Sequence, residues 1–245
     1  MCTVLFIPGK NGNYFASLRD ENPKRPRAIA PDIQTTSPIH YLAPLDQLAG
    51  GTWIGVNEFR NCVVLLNGAF ENHQRKNAYP KSRGKIVSEL LTSSLPVVEW
   101  NLMSLENIEP FTLVVWSDEK LFQLVWDGNK KHRSLLDSTV AHIWSSSTLY
   151  DTAAKEKRQD YFQNWMAMHP PISKLSVLHF FNSFEDNENG FLMERSEHMK
   201  TLSFSFIEIN EGKLASFDYY DFVTYKHSVK TIEMNRDAQN CSVLN

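Results

Sequence analysis

The chain begins Met1-Cys2, and a cysteine at the second position has the chemistry of a nucleophile. The small side chain of Cys2 allows an aminopeptidase to remove Met1, which leaves an α-amino group and a thiol on one residue. The amine, with a reference pKa of about 8, can accept the thiol proton, so base and nucleophile are already together. A lone cysteine is more often a small apolar residue at the start of a strand. Cys2 alone favours this second, structural interpretation.

Two more polar groups could complete such a site. Arg19 and Asp20 follow an apolar stretch. The carboxylate there can orient the ammonium or thiol of Cys2, and the guanidinium can hold a substrate anion or tune Asp20. Asn67 closes the apolar run VVLL, and its side-chain amide can donate to a developing oxyanion. Each group also has a plainer explanation, which is an exposed charged turn for the Arg-Asp pair and a strand-ending cap for Asn67.

Short apolar runs predict that β-strands carry these groups. Residues 3–7 and 14–18 flank PGKNGN, whose Asn11-Gly12 pair is typical of a tight hairpin turn. Such a hairpin would return Asp20 to the neighbourhood of Cys2. Further strands are predicted at 52–57, 62–67, 111–116, 121–126, 201–209, 214–224 and 228–233.

Helices are predicted between the strand-rich ends of the chain. Their positions are 82–91, 152–168 and 172–181, with Pro170-Pro171 ending the second one. Strand pairs first and last with helices between them favour one α+β domain with layered sheets, over residues 1–234. Residues 185–190 are expected to form an exposed loop and residues 235–245 a polar tail.

Composition narrows the classes of function. Apolar residues make up 42% of the chain and charged residues 22%, which is typical of a soluble globular protein. A net charge of −3 argues against a general nucleic-acid binder, and no apolar run is long enough for integral membrane association. The three widely spaced cysteines form neither a disulfide framework nor a zinc spacing, and the eight histidines show no metal spacing. We therefore expect a cytoplasmic protein without a metal or cofactor.

A basic segment precedes the first predicted helix. HQRKNAYPKSRGK, residues 73–85, includes Arg83 and four other cations. Backbone N–H groups at a helix start, together with such cations, can hold a phosphate or a carboxylate, which makes Arg83 a candidate substrate-binding residue. A solvated basic loop is the more ordinary interpretation of the same residues.

Several short motifs, taken in order, resemble one known family. They are MCTVLF, LRDE, AGGTWIGVN, LLNGAF, SRG, IEPFTLVVW, WDGNKKH and HIWSSSTLYD. Together they resemble the NRDE family, which includes the transport and Golgi organisation proteins. That family is similar to the N-terminal-nucleophile hydrolases of the choloylglycine hydrolase and penicillin acylase type. The resemblance implies a four-layer αββα sandwich of mainly antiparallel sheets, with Cys2 at the end of a central strand.

The resemblance also implies roles for individual residues. Cys2 matches the nucleophile, Asp20 the carboxylate that contacts it, and Asn67 the oxyanion-hole amide. Arg19 matches the family's arginine, which is a candidate substrate-binding residue.

Three positions depart from the family pattern. Leu18 stands where the name-giving tetrapeptide has Asn, and Ser146 stands where related hydrolases have a second active-site Asn. Ser146 is therefore the candidate for substrate contact at that position. The late arginine expected near the final strand is missing, and Lys226 or His227 is the nearest residue to it.

Two functions are compatible with this pattern. The first is a cysteine hydrolase or acyltransferase that acts on a small molecule through a linear, non-peptide amide or thioester. The second is a binding or trafficking protein that uses the same cleft for an apolar anionic ligand, such as an acyl thioester or haem. The retained Cys2, Asp20 and Asn67 favour the enzyme, whereas Ser146 favours the binder. No feature of the sequence indicates the oligomeric state.

Overall fold

The computed structural model describes residues 3–35, 37–74, 76, 78–184, 186, 190–196 and 199–235. The elements in chain order are β1 (Thr3–Gly9), β2 (Gly12–Glu21), β3 (Ala28–Gln34), β4 (Tyr41–Asp46), β5 (Ile54–Asn57), β6 (Cys62–Asn67), α1 (Arg83–Leu91), α2 (Pro96–Leu102), β7 (Phe111–Ser117), β8 (Lys120–Trp126), β9 (Lys131–Leu136), β10 (His142–Ser145), α3 (Thr152–Ala167), α4 (Lys174–Ser183), β11 (Glu194–Ser196), β12 (Met199–Asn210), β13 (Leu214–Asp221) and β14 (Lys226–Glu233).

Two antiparallel sheets lie face to face, and a pair of helices covers the outer face of each. The first sheet has the strand order β10-β1-β2-β12-β13-β14, with β11 paired to β12. The second has its strands in sequential order from β3 to β9. Helices α3 and α4 pack on the first sheet, and α1 and α2 pack on the second. The fold is thus an αββα sandwich, as the resemblance implied.

The first hairpin is confirmed, and it extends further than predicted. Gly9 pairs with Gly12, so Lys10 and Asn11 form the turn and Gly12 already belongs to β2. Strand β2 continues through Glu21. Arg19 and Asp20 therefore lie within a central strand, each only 4% exposed, and not in an exposed charged turn.

Alternation along the first sheet separates two apolar cores. In β1 and β2, Phe6 and Phe15 face the second sheet, and Phe6 lies 5.9 Å from the ring of Trp116 on β7. The intervening residues face the helices, where Phe180 stacks on Trp165 of α3 at 4.6 Å. Side chains of successive strand residues point to opposite faces, so one strand serves both layers.

The second sheet contains a buried cysteine. Cys62 opens β6 and is fully buried in the core. Burial among apolar side chains raises the pKa of the Cys62 thiol well above its ordinary value. On the outer face of this sheet, Trp100 of α2 packs edge-on against Phe111 at 5.7 Å.

The sequence did not predict β3, β4, α2, β9, β10 or β11. Strands β3 and β4 each contain a proline, Pro31 and Pro44, and their pairing shifts register between Ile29 and Asp32, the segment that contains Pro31. A proline cannot donate to the ladder and is tolerated at such an irregularity. Helix α2 has only seven residues and begins with Pro96. The predicted loop and tail lie largely outside the described residues, which cover only Asp186, Gly190 and Asn235 of them.

Two glycines bring the loop before β5 against the start of α1. A Cβ on Gly51 would lie 2.3 Å from the carbonyl carbon of Gly84 and 2.5 Å from the backbone nitrogen of Lys85. The neighbouring Thr52 N–H donates to the Gly84 carbonyl at 3.1 Å. This close backbone contact explains the paired glycines of AGG and SRG, because any larger residue would separate the two segments.

We expect Gly51→Ala to destabilise the protein by about 2 kcal/mol, because the new methyl group meets backbone that cannot rotate away. In a chain of this size that loss lowers the melting temperature by about 4–8 °C. The matched control is Gly212→Ala, since among the described residues only its chain neighbours lie within 4 Å of the added Cβ. Thermal unfolding followed by circular dichroism measures both, and equal melting temperatures would contradict the steric explanation.

Candidate active site

A cavity of about 560 Å³ opens where β2 and β6 end. Four of the predicted site residues line it, namely Arg19, Asp20, Asn67 and Arg83. The fifth described candidate, Ser146, does not line this cavity. Residues far apart in sequence and drawn from both sheets thus meet in one cavity.

Arg19 is buried between the two sheets and bound to a carboxylate. Its Nη2 donates to Asp46 Oδ2 at 2.9 Å, and its guanidinium carbon lies 4.7 Å from the centre of the Trp53 ring. Asp46 also accepts from Arg25 Nε at 2.8 Å and Nη2 at 3.0 Å. Burial alone raises the Asp46 pKa, but the hydrogen bond from Arg25 and the nearby positive charges leave that pKa below its ordinary value. Contact of Arg19 with substrate stays a prediction.

Asp20 points to the opposite face of β2 and is held by a threonine. Thr201, which pairs with Asp20 in the β2–β12 register, donates from its hydroxyl to Asp20 Oδ1 at 2.5 Å. The same hydroxyl accepts from the Met193 backbone N–H at 2.7 Å. Thr201 therefore fixes one carboxylate oxygen and is itself fixed by a neighbouring segment. Sequence reasoning missed Thr201, since its relevance depends on a register between residues 181 positions apart.

Asn67 ends β6 with its side-chain amide available to donate. Among the described residues, none makes a hydrogen bond to this amide, whereas the Asn67 carbonyl accepts from Ser146 Oγ at 2.8 Å. Gly68 follows with φ of 83°, and a Cβ there would meet Ser147 Oγ at 2.3 Å. The glycine thus lets the chain turn sharply after Asn67.

Ser146 lies behind Asn67. It is 1% exposed, and its hydroxyl also lies 2.8 Å from Thr148 Oγ1. The hydroxyl thereby supports the backbone of the oxyanion-hole candidate, a contact that the sequence did not predict. Direct contact of Ser146 with substrate stays a prediction.

Arg83 lies at the start of α1, in the cavity wall. Its Nη2 is 3.2 Å from Glu109 Oε2 and its Nη1 donates to the Pro110 carbonyl at 3.3 Å. His73 lies on the other side of the same carboxylate, with Nε2 3.4 Å from Glu109 Oε1. The basic segment is therefore built into the cavity wall at Arg83 and His73, while its Arg75 lies outside the described residues.

The two residues nearest to the missing late arginine lie elsewhere. His227 stacks on Tyr220 at 4.0 Å and its Nε2 lies 2.7 Å from Asp218 Oδ1, on the edge strand β14. Neither His227 nor Lys226 lines the cavity. Neither residue therefore places a positive charge in the cavity in the place of the missing arginine.

The N-terminal strand begins beside the cavity. Met1 and Cys2 lie outside the described residues. Thr3 is fully buried and pairs with Leu18 on one side and Ser145 on the other. Leu18, which replaces the family's asparagine, is fully buried in the core beneath α3 and α4, an apolar setting that suits leucine.

The described part of the chain contains no group of three or more His, Cys, Asp or Glu side chains arranged to hold a metal ion. Its helices are also too short or too polar to cross a membrane.

Solved structures share this fold. A variant of the conjugated bile acid hydrolase from Clostridium perfringens superposes with a TM-score of 0.61 at 10% identity, covering 96% of this chain and 98% of that one. Penicillin V acylase from Agrobacterium tumefaciens gives 0.58 at 12% identity, covering 96% and 86%. The Caenorhabditis elegans ortholog of N-acylethanolamine-hydrolyzing acid amidase gives 0.57 at 11% identity, covering 84% and 92%. At such low identities these superpositions show the shared fold alone.

A search of curated protein sequences found no match. The model of the Transport and Golgi organisation 2 family, by contrast, matches residues 1–240. The chain therefore belongs to the Transport and Golgi organisation 2 family.

Proposed function

We propose that the protein is a cysteine hydrolase or acyltransferase that acts on a non-peptide amide or thioester of a small molecule. The observation that carries the proposal is the convergence of Asp20 and Asn67 on one cavity from different sheets. A carboxylate that can orient an amine and an amide that can stabilise an oxyanion are the two groups that an N-terminal cysteine requires.

The start of β1 supports the same assignment. Cys2 is joined to Thr3, and consecutive Cα atoms are about 3.8 Å apart. Thr3 pairs with Leu18, which directly precedes Arg19 and Asp20 in β2. The proposal requires Cys2, the residue before Thr3, to reach the strand segment that lines the cavity.

The proposed reaction begins after Met1 is removed. The Cys2 amine takes the thiol proton, and the thiolate attacks the carbonyl carbon of the substrate. The Asn67 amide and a backbone N–H donate to the resulting oxyanion, while Asp20 holds the ammonium in place. Collapse breaks the C–N or C–S bond, the ammonium returns a proton to the leaving group, and a thioester remains on Cys2. Water, or an acceptor amine, then releases the acyl group.

The similar structures add support from their own activities. They are named as a hydrolase, an acid amidase and an acylase. The shared class of chemistry favours amide or thioester cleavage by this chain, and the low identities leave the substrate to be found by experiment.

Ligand binding without turnover is the second candidate function. It is favoured by Ser146, whose hydroxyl supports the Asn67 backbone from behind and is absent from the lining of the 560 Å³ cavity. The same cleft would then hold an apolar anionic ligand, such as an acyl thioester or haem.

The enzyme proposal predicts that purified protein has lost Met1 and that an acylating, cysteine-directed probe labels Cys2. Intact-mass spectrometry should give a mass lower by one methionine residue, with one added acyl group after labelling. Cys2→Ala should abolish the labelling, because the thiol and its adjacent amine act as one unit. The control Cys241→Ala should label as the wild type does.

Complete retention of Met1 would refute the enzyme proposal. The binding alternative predicts a different result, in which an acyl thioester raises the melting temperature of the wild type and of Cys2→Ala equally.

We also predict that Thr201 positions Asp20 for this reaction. Thr201→Val keeps the shape of the side chain but removes the hydrogen bond to the carboxylate, so the maximal rate of Cys2 labelling should fall by about tenfold. The probe concentration that gives half this rate should change little, because Thr201 acts through Asp20. Thr201→Ser retains the hydroxyl and should restore the rate.

Labelling of Thr201→Val at the wild-type rate would contradict this role. Melting temperatures of both variants separate a positioning effect from a loss of folded protein.

A further inference from the structure

A second cavity of about 260 Å³ lies on the other side of Asn67. Asn67 lines both cavities, and Ser146 and Ser147 lie in the wall of the smaller one. A substrate whose reacting carbonyl lies at Asn67 could therefore place its larger part in the 560 Å³ cavity and its smaller part here.

Lys155 is the one charged side chain among the residues that line the smaller cavity. It is half-buried on α3, and within the described residues it has no carboxylate within 4 Å. Asp151, one turn earlier, uses its Oδ1 to cap the helix by accepting from the Ala154 N–H at 2.8 Å. In the larger cavity, by comparison, Arg19 and Arg83 each have a carboxylate partner.

Partial burial also disfavours the charged form of this amine. Desolvation lowers the pKa of Lys155, and the more distant charge of Asp151 opposes that change only in part. An anion beside Lys155 would offset the cost of burying its charge.

The rest of the cavity wall is suited to a small ligand group with an apolar face. Trp144 and Phe70 supply aromatic surface, and the Trp144 indole N–H already donates to Gln123 Oε1 at 2.7 Å. Ser147 is 8% exposed, and its hydroxyl has no hydrogen-bond partner among the described residues. Gln159 adds a neutral amide. The cavity thus combines one unpaired cation with neutral polar groups and aromatic faces.

We propose that the smaller cavity binds the smaller part of the substrate, and that this part carries a carboxylate held by Lys155. That the bound group belongs to a substrate rests on the proposed function. The site itself depends only on the cavity and its cation, so the two can fail separately.

The experiment uses benzoate and benzamide, which match in shape and differ in charge. Both fit the smaller cavity, and both are titrated into Cys2→Ala protein, in which no acyl transfer from Cys2 is possible. The readout is the Trp144 indole N–H signal, one of six indole signals, identified by its loss in Trp144→Phe. Benzoate should shift this signal with a dissociation constant about fivefold lower than that of benzamide, because one partly exposed ion pair distinguishes them.

Lys155→Met should abolish the preference for benzoate, and Lys155→Arg should retain it. Lys157→Met is the matched control, since Lys157 is exposed on the same helix outside the cavity. Equal affinities for the two probes, or a preference that survives Lys155→Met, would overturn the proposal.

A second measurement tests the link to the proposed function. In wild-type protein, benzoate should slow acyl labelling of Cys2 more than benzamide does, because the cavity adjoins Asn67. Lysine-dependent benzoate binding together with an unreactive Cys2 would support the carboxylate site and refute the enzyme.

Discussion

The ion pair between Arg19 and Asp46 joins the two sheets at the cavity, and the arrangement of the site depends on it. Arg19 comes from the centre of the first sheet and Asp46 from the second. A buried guanidinium is costly unless it is paired, and here it has a carboxylate at 2.9 Å and the face of Trp53. Removing Asp46 would leave Arg19 without its close carboxylate between the sheets, whereas Asp46 would keep Arg25 as a partner if Arg19 were removed. The pairing therefore fixes how the ends of β2 and β4 approach each other.

Alternation along β2 then places neighbouring residues in different environments. Arg19 lies between the sheets, whereas Asp20 faces the helical side and meets Thr201. Leu18, one position earlier, packs beneath α3 and α4. Arg19 consequently acquires its partner only when the two sheets come together, and Asp20 acquires Thr201 only when β12 pairs with β2. Their burial to 4% exposure is a tertiary effect, which explains why an exposed charged turn was an equally reasonable prediction from local sequence.

Local sequence patterns predicted the strand pairs and helices that are formed by residues close together in the chain. The first hairpin, the β5–β6 and β7–β8 pairs and three helices follow from apolar periodicity. The strands that contain Pro31 and Pro44 were not predicted from the sequence. Proline argues against a strand unless the irregular pairing around it is known. The ordered motifs led to Asp20 and Asn67, but Thr201 and Lys155 could not be found in this way. Their importance comes from strand register and from the walls of cavities, which form only through contacts between distant residues.

The departure at Ser146 has a physical consequence for how the site would select its substrate. A serine is shorter than asparagine, and here its hydroxyl is directed to the Asn67 carbonyl. The active-site asparagine that the resemblance implies at this position is thus replaced by a residue that supports the neighbouring backbone. Under the proposed function, selectivity would then come from other side chains around Asn67, among which Lys155 is the charged residue on the side of the smaller cavity.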